Sequence, residues 1–377
     1  MTTPSAAVYE YSVATADAQL ALAAAAVRSG ALGAVGGSLV PELERTMAAH
    51  LGRREALAVA SATTGLQLLM RALGAGPGSE VVLPELAWVS VGAAAAATGA
   101  TVRVAPITAA LAPGWEQIAP LLGSHTALVV IAHLRGRAAP DTAHIAAELF
   151  ARGVPLVEDC AQAWRARLPD GRPAGTAGAA AVFSMDRYKV ISTGEGGIIA
   201  VDDTELTTRM RLLGGLAWVP AHPPEWRGNA RMSEPTAALA LPQLRQLDHL
   251  VSQLRPLQHQ VAHVMAAAKG LHEVTPADDN SNGCLVGGWA DDPDRAKILT
   301  GALFHAGFRA WWPGPDDLHH AANWPVTIDQ PLVDVHRYVD VQIPLLPYDQ
   351  HTAFSDTLHT VLAHWHAGTF TSTSRPR

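Results

Sequence analysis

Short apolar runs alternate with amphipathic stretches through the middle of the chain. Residues 81–83, 101–104, 127–132, 154–158, 180–184 and 197–201 are rich in Val, Ile and Ala, as strands buried on both faces should be. Between several of them, 64–73, 89–98 and 142–152 carry helical patterns. This alternation predicts a mostly parallel sheet covered by helices. From Pro235 onward the pattern changes. Leu244, Leu247, Leu250, Leu254, Leu257 and Val261 recur every three or four residues, which predicts one long amphipathic helix that Pro256 should kink or divide. Residues 298–307, 311–315 and 341–346, with a closing helix over 354–365, predict a compact α+β unit. The expectation is an α/β chain with a large domain over 1–250 and a smaller C-terminal domain over 251–377. No internal repeat is present.

Composition narrows the class. A chain of 377 residues exceeds the usual size of one hydrophobic core. With 49% hydrophobic and 16% charged residues it is globular, and only 369–377 are expected to be disordered. A formal charge of -7 with scattered Lys and Arg argues against nucleic acid and for small-molecule partners. Two cysteines, Cys160 and Cys284, and the lack of a leader-like start predict a reducing cytoplasm. The run 91-VGAAAAATGA-100 is too short to cross a bilayer, so it reads as a closely packed helix and no membrane association is expected.

Several motifs fail on inspection. In 259-HQVAH-263 the histidines have zinc-helix spacing, but Gln260 stands where the general-base glutamate belongs. Nothing supplies a third ligand, so a structural helix face is expected. The glycines of 30-GALGAVGG-37 do not match the dinucleotide fingerprint, and no phosphate loop of the GxxxxGK type occurs. His319 with His320, and His364 with His366, read as surface or core pairs. No metal site is expected.

What survives lies at strand ends, where open α/β sheets bind ligands. Trp88, His133, Asp159 and Lys189 each follow or close a predicted strand. An aspartate ending an apolar strand costs several kcal/mol unless a cation compensates it. A desolvated lysine has a lowered pKa and condenses readily with an aldehyde. Pyridoxal 5′-phosphate meets both demands, because its protonated ring nitrogen pairs with an aspartate while its aldehyde takes the lysine. In 60-ASATTG-65, free N–H groups of Thr63 and Thr64 at a helix start would face a phosphate, although an ordinary N-cap would look the same. Trp88 offers an aromatic face, and taken alone it would be a core residue.

These residues resemble the DegT/StrS-type family of fold-type I, pyridoxal-phosphate-dependent aminotransferases that aminate keto-sugars and keto-cyclitols. The matching stretches are 27-VRSG-30, 41-PELERTMAAHLG-52, 63-TTGLQLLMRALGAGPGSEVVLPELAWVS-90, 133-HLRG-136, 157-VEDCAQA-163, 183-FSMDRYKVISTGEGG-197 and 229-NARMSE-234. The resemblance implies that Lys189 forms the internal Schiff base, Asp159 pairs with the ring nitrogen, Gln162 meets the ring hydroxyl and Trp88 stacks on the ring. Ser184, Thr63 and Thr64 would form the phosphate pocket. Asn229 is similar to the asparagine that reaches the phosphate of the neighbouring subunit, which implies a homodimer with shared active sites. It further implies two half-reactions, in which Lys189 moves a proton and Asp159 keeps the ring nitrogen protonated.

The stretch from Ser184 to Gly197 is closer to the inosose aminotransferase branch, which uses L-glutamine for aminoglycoside cyclitols, than to the nucleotide-sugar branch. The resemblance thus implies transfer from L-glutamine or L-glutamate to a keto-cyclitol or keto-sugar. Two alternatives stay open: a dehydratase or aromatising lyase of the same family, like the aminohydroxybenzoate synthases, with Lys189 arguing against the sugar dehydratases, which carry histidine there; or a non-catalytic member. The chain also departs from the pattern. Ala62 replaces a glycine, Ala105-Pro106 an acidic residue, Arg135 and Arg137 are unusual, and the segments 213–229 and 272–296 are short. These changes bear on the acceptor rather than the cofactor.

Overall fold

The computed structural model describes residues 9–216, 227–324 and 333–370. The tail 371–377 and residues 217–226 of the short segment before Asn229 lie outside them. Two units form, one over Ser12–Leu247 with Leu318–Leu332, the other over Met1–Tyr11, Asp248–Asp317 and Val333–Arg377.

The larger unit contains, in chain order, α1 (Ala16–Ser29), α2 (Leu39–Leu51), β1 (Glu55–Val59), α3 (Ala62–Ala72), β2 (Glu80–Pro84), α4 (Val89–Ala96) and β3 (Thr101–Ala105). There follow α5 (Trp115–Ile118), β4 (Thr126–Ala132), α6 (Thr142–Ala151), β5 (Leu156–Asp159), β6 (Ala180–Ser184), β7 (Gly197–Val201), α7 (Thr204–Leu213) and α8 (Glu234–Arg245). Its seven strands run in the order β1-β7-β6-β5-β4-β2-β3. Only β7 is antiparallel to its neighbours, so all the other strands share one direction. This is the expected mixed, mostly parallel sheet, and β5, β6 and β7 are buried along their whole length. Val82, Val129 and Ile131 pack with Ile145 and Leu149 of α6 on one side. On α3, Gly65 lies against Val59, Val182 and Ile199.

The smaller unit contains α9 (Leu247–Ala266), β8 (Leu271–His272), β9 (Leu285–Ala290), α10 (Pro293–His305), β10 (Ala310–Trp311), β11 (Tyr338–Gln342) and α11 (His351–His366). Its four strands form an antiparallel sheet in the order β10-β11-β9-β8. Phe308 meets Phe354 of α11 edge to face at 4.8 Å, the geometry aromatic quadrupoles favour.

One expectation is corrected here. The helix break falls at Gln246, between α8 and α9, and α9 runs unbroken through Pro256. Leu250, Leu254, Leu257 and Val261 are all buried, and burying one such side chain contributes about 1.5–3 kcal/mol. Together they outweigh the ~3 kcal/mol that an interior proline costs. No described helix is long and apolar enough to cross a membrane.

Candidate active site

Because every strand but β7 points the same way, the larger sheet gathers several loops along one edge. Ser61 follows β1, Ser184 ends β6, Asp159 ends β5, His133 follows β4 and Trp88 lies beyond β2; Gly197, starting the reversed strand β7, arrives at the same edge. A Cβ on Gly197 would stand 2.5 Å from the Ala62 nitrogen. Only glycine lets β7 approach the start of α3 this closely. Since Ser184 pairs with Gly197 in register, its side chain and the first turn of α3 become neighbours.

That first turn corrects part of the sequence reading. Ser61 caps α3: its Oγ accepts the Thr64 N–H at 3.1 Å and lies 2.9 Å from Thr64 Oγ1. The Thr64 N–H is therefore spoken for. Thr63, at the second position of α3 and exposed, keeps one of the donors that helix starts leave unsatisfied. Ser184 is buried, and its Oγ accepts the Asp186 N–H at 3.3 Å.

Asp159 is 5% exposed and receives the Ala161 N–H at 3.0 Å. Burial raises its pKa, and neither that bond nor the charges of Lys189 and His133 cancel the rise. Lys189 is half-buried on the loop after β6. Burial also lowers the pKa of its amine, with Arg135 adding to the fall and Asp159 and Asp186 opposing it. The loop carrying it is tightly built. Met185 N–H bonds to Gly196 O and Thr193 N–H to Met185 O, both at 2.9 Å, and Lys189 N–H closes a turn onto Asp186 O at 3.0 Å. Gln243 of α8 ties the loop down through both Ser192 N–H and Ser192 O.

On the other side of Asp159, the Gln162 Oε1 accepts the Arg135 N–H at 3.0 Å, and its Nε2 lies 3.5 Å from His319 Nε2. His319 in turn meets the Trp88 ring edge-on at 4.8 Å. Trp88 is 42% exposed, so it is not the core residue it could have been. Asn229 is exposed beside the end of β1, where Ala60 N–H bonds to Ala230 O at 2.8 Å.

Sequence reasoning misassigned two histidines and missed three buried glutamates. His133 faces away from ligand chemistry: its Nδ1 accepts the Ala139 N–H at 3.0 Å, leaving Nε2–H to donate to Glu158 at 2.9 Å. Glu158, fully buried, also accepts the N–H groups of Gly175, Ala177 and Gly178. Burial pushes its pKa up, but His133 and those backbone donors more than reverse it. His133, Glu158 and Cys160 place ligand-type atoms within 4.8 Å of one another. Both ring nitrogens and the carboxylate are nonetheless committed to hydrogen bonds. The same device holds the segment around His319: His320 Nδ1 accepts Ala322 N–H and its Nε2–H donates to the buried Glu85 at 2.9 Å. Ala87 N–H to His319 O and Ala321 N–H to Glu85 O, each 2.8 Å, complete the clasp. Glu234 is the third glutamate missed; its buried carboxylate caps α2 by accepting the N–H groups of Ser38, Leu39 and Val40. The pair His259 and His263 lies on an exposed face of α9.

Residues 14–297 match the DegT/DnrJ/EryC1/StrS aminotransferase family. The chain belongs to that family. It is 32% identical over 270 residues to an L-glutamine:2-deoxy-scyllo-inosose aminotransferase of Streptoalloteichus tenebrarius, covering 67% of this chain and 62% of the relative. Among solved structures it is similar to the aminotransferase TlmJ from Streptoalloteichus hindustanus, at 28% identity and a TM-score of 0.80, covering 92% of this chain and 96% of that one. The 3-amino-5-hydroxybenzoic acid synthase structure superposes with a TM-score of 0.82 at 24% identity, over 92% of this chain and 97% of that one, which speaks to the fold alone.

The residues on this edge fit the family's pyridoxal phosphate. A buried carboxylate whose charge is incompletely compensated suits a protonated ring nitrogen, and a desolvated amine suits an aldehyde. The half-exposed indole and the start of α3 suit a flat ring and an anion.

Proposed function

We propose that this DegT/StrS family member transfers an amino group from L-glutamine or L-glutamate to the ketone of a cyclitol or sugar, using pyridoxal phosphate joined to Lys189. The observation that carries the reading is that Asp159, buried at the end of β5, and Lys189, half-buried on the loop after the neighbouring strand β6, lie at the same edge of the sheet. When bound, the cofactor supplies an electrophilic aldehyde and a ring that takes up electrons from the donor carbon.

The remaining work belongs to the chain. Asp159 holds a proton on the ring nitrogen, which its incompletely compensated charge favours. Lys189, with a lowered pKa, is a competent base once released and would carry the proton between the donor carbon and the cofactor carbon, and by the reverse path in the second half-reaction. Gln162, whose oxygen accepts the Arg135 N–H, would meet the ring hydroxyl through its amide N–H. Trp88 covers the ring, while Thr63, Ser184 and Thr64, the last through its hydroxyl, receive the phosphate. Asn229, exposed next to this pocket, reaches the neighbouring subunit of a homodimer. The likeness to inosose aminotransferases supports a cyclitol acceptor and a place in aminoglycoside-type biosynthesis.

A screen of half-reactions tests this. L-glutamine or L-glutamate alone should convert the cofactor to its aminated form, with a matching spectral change, and a keto-cyclitol or keto-sugar should reverse it. Release of an aromatic product without amino transfer would sink the reading.

A further inference from the structure

Lys189 stands on a loop whose base and tip are held differently. At the base, Met185 N–H bonds to Gly196 O, Thr193 N–H bonds to Met185 O, and Asp186 bridges to Gly194. The tip, residues 187–192, starts with the exposed Arg187 and Tyr188 and turns inward through the buried Val190 and Ile191. The turn from Lys189 N–H to Asp186 O is local to the loop. Among the described residues, the hydrogen bonds that join the tip to another element both run between Ser192 and the side chain of Gln243.

Gln243 lies on α8, is 5% exposed and stands 51 positions beyond Ser192. Its Oε1 accepts the Ser192 N–H at 2.9 Å, while its Nε2 donates to Ser192 O at 2.7 Å and to Leu239 O, one turn back on α8, at 2.8 Å. Among side chains, only an amide can accept from a peptide N–H and donate to two carbonyls at once. The Leu239 bond orients that amide from its own helix. These bonds reach none of the residues assigned to the cofactor, so an effect of Gln243 on the chemistry has to pass through the loop. Between the clamp at Ser192 and Lys189 stand only the two buried side chains, which leaves the lysine's backbone little room to shift.

We propose that Gln243 is a positioning residue for Lys189, holding the loop tip so that the lysine's amine is presented to the aldehyde of the cofactor. This rests on the reading that Lys189 takes pyridoxal phosphate. Placement of this kind matters to rate, since a shift of about 1 Å at a reacting group costs on the order of 10²-fold.

The test compares wild type with Q243M, which keeps the length of the side chain and loses its three bonds, and Q243E, which keeps the acceptor for Ser192 N–H but sets an oxygen against two carbonyls. Q258L controls for general loss of stability, because Gln258 is likewise buried, on α9, where it bonds to Ser281 and Leu285. Cofactor-free protein is mixed with pyridoxal phosphate, quenched with borohydride at intervals, and the label on the Lys189 peptide is followed by mass. Q243M and Q243E should take the label roughly 10–100-fold more slowly than wild type, and amide exchange over 187–192 should quicken in their cofactor-free forms. Once loaded, both should lose kcat with the amino-donor KM held within about twofold. Q258L should label at the wild-type rate. Labelling of the Gln243 variants at that rate, or slowed no more than in Q258L, overturns the assignment. If Q243M fails to fold, Q243E decides alone; failure of both to fold makes Gln243 structural and overturns it too. A wild type that labels at Lys189 yet converts no amino donor defeats the aminotransfer reading and leaves the labelling comparison to decide Gln243.

Discussion

Asp159 and Lys189 oppose each other's loss of charge: burial drives both toward neutrality, and each one's field draws the other back. Asp159 ends β5 and Lys189 stands on the loop after β6, and those two strands are paired neighbours.

The raised pKa of Asp159 means that, without cofactor, its ionised form weakens the fold at neutral pH. Stability rises as pH falls through its raised value, because protonation relieves the buried charge. Asp159→Asn should therefore stabilise the cofactor-free protein by about 1–2 kcal/mol while slowing amino transfer about 10²–10⁴-fold. Thermal melts and single-turnover rates measure the two effects; unchanged rates would remove Asp159 from the chemistry.

Glu158 behaves oppositely. Its folded pKa lies below the usual 4.5, so its stabilisation is complete above that value and is lost as pH falls through the lower folded one. Urea titrations from neutral pH downward should show this acid limb, and Glu158→Gln should flatten it. Glu158→Ala, which strands three backbone N–H groups and His133, should cost about 3–5 kcal/mol.

Glu234→Ala should cost about 2 kcal/mol by leaving the start of α2 without its cap. Glu234→Gln, which keeps one acceptor oxygen, should lose less. Urea denaturation of the two variants checks the order.

His319 touches both Trp88 and Gln162, so His319→Ala should loosen both. We expect a several-fold weaker retention of pyridoxal phosphate, measured by equilibrium dialysis, with little change in the stability of the cofactor-free protein. A variant that unfolds instead would mark His319 as structural.

The legible parts of the fold were those whose burial is written locally. The Val- and Ile-rich strands β2 to β7 declare themselves, whereas β1, built of Glu, Ala, Leu, Ala and Val, has no β-branched residue before its last and passed unnoticed. Asp159 and Lys189 were legible because a charge beside an apolar strand is locally anomalous. Glu85 and His320 lie 235 positions apart, and Glu234 and Val40 lie 194 apart. No window of sequence contains both partners of such a bond. For the same reason the His319-His320 pair read as inert, although one of its members sits in the site.

The central claim is that Lys189 is the residue that takes the cofactor. Lysine occurs only at Lys189, Lys269 and Lys297, which makes its location decidable by mass. The protein should be loaded with pyridoxal phosphate, reduced with borohydride and digested. The account predicts a phosphopyridoxyl group on the Lys189 peptide alone, and none in Lys189→Ala. A label on Lys269 or Lys297, or full labelling and turnover in Lys189→Ala, would contradict it.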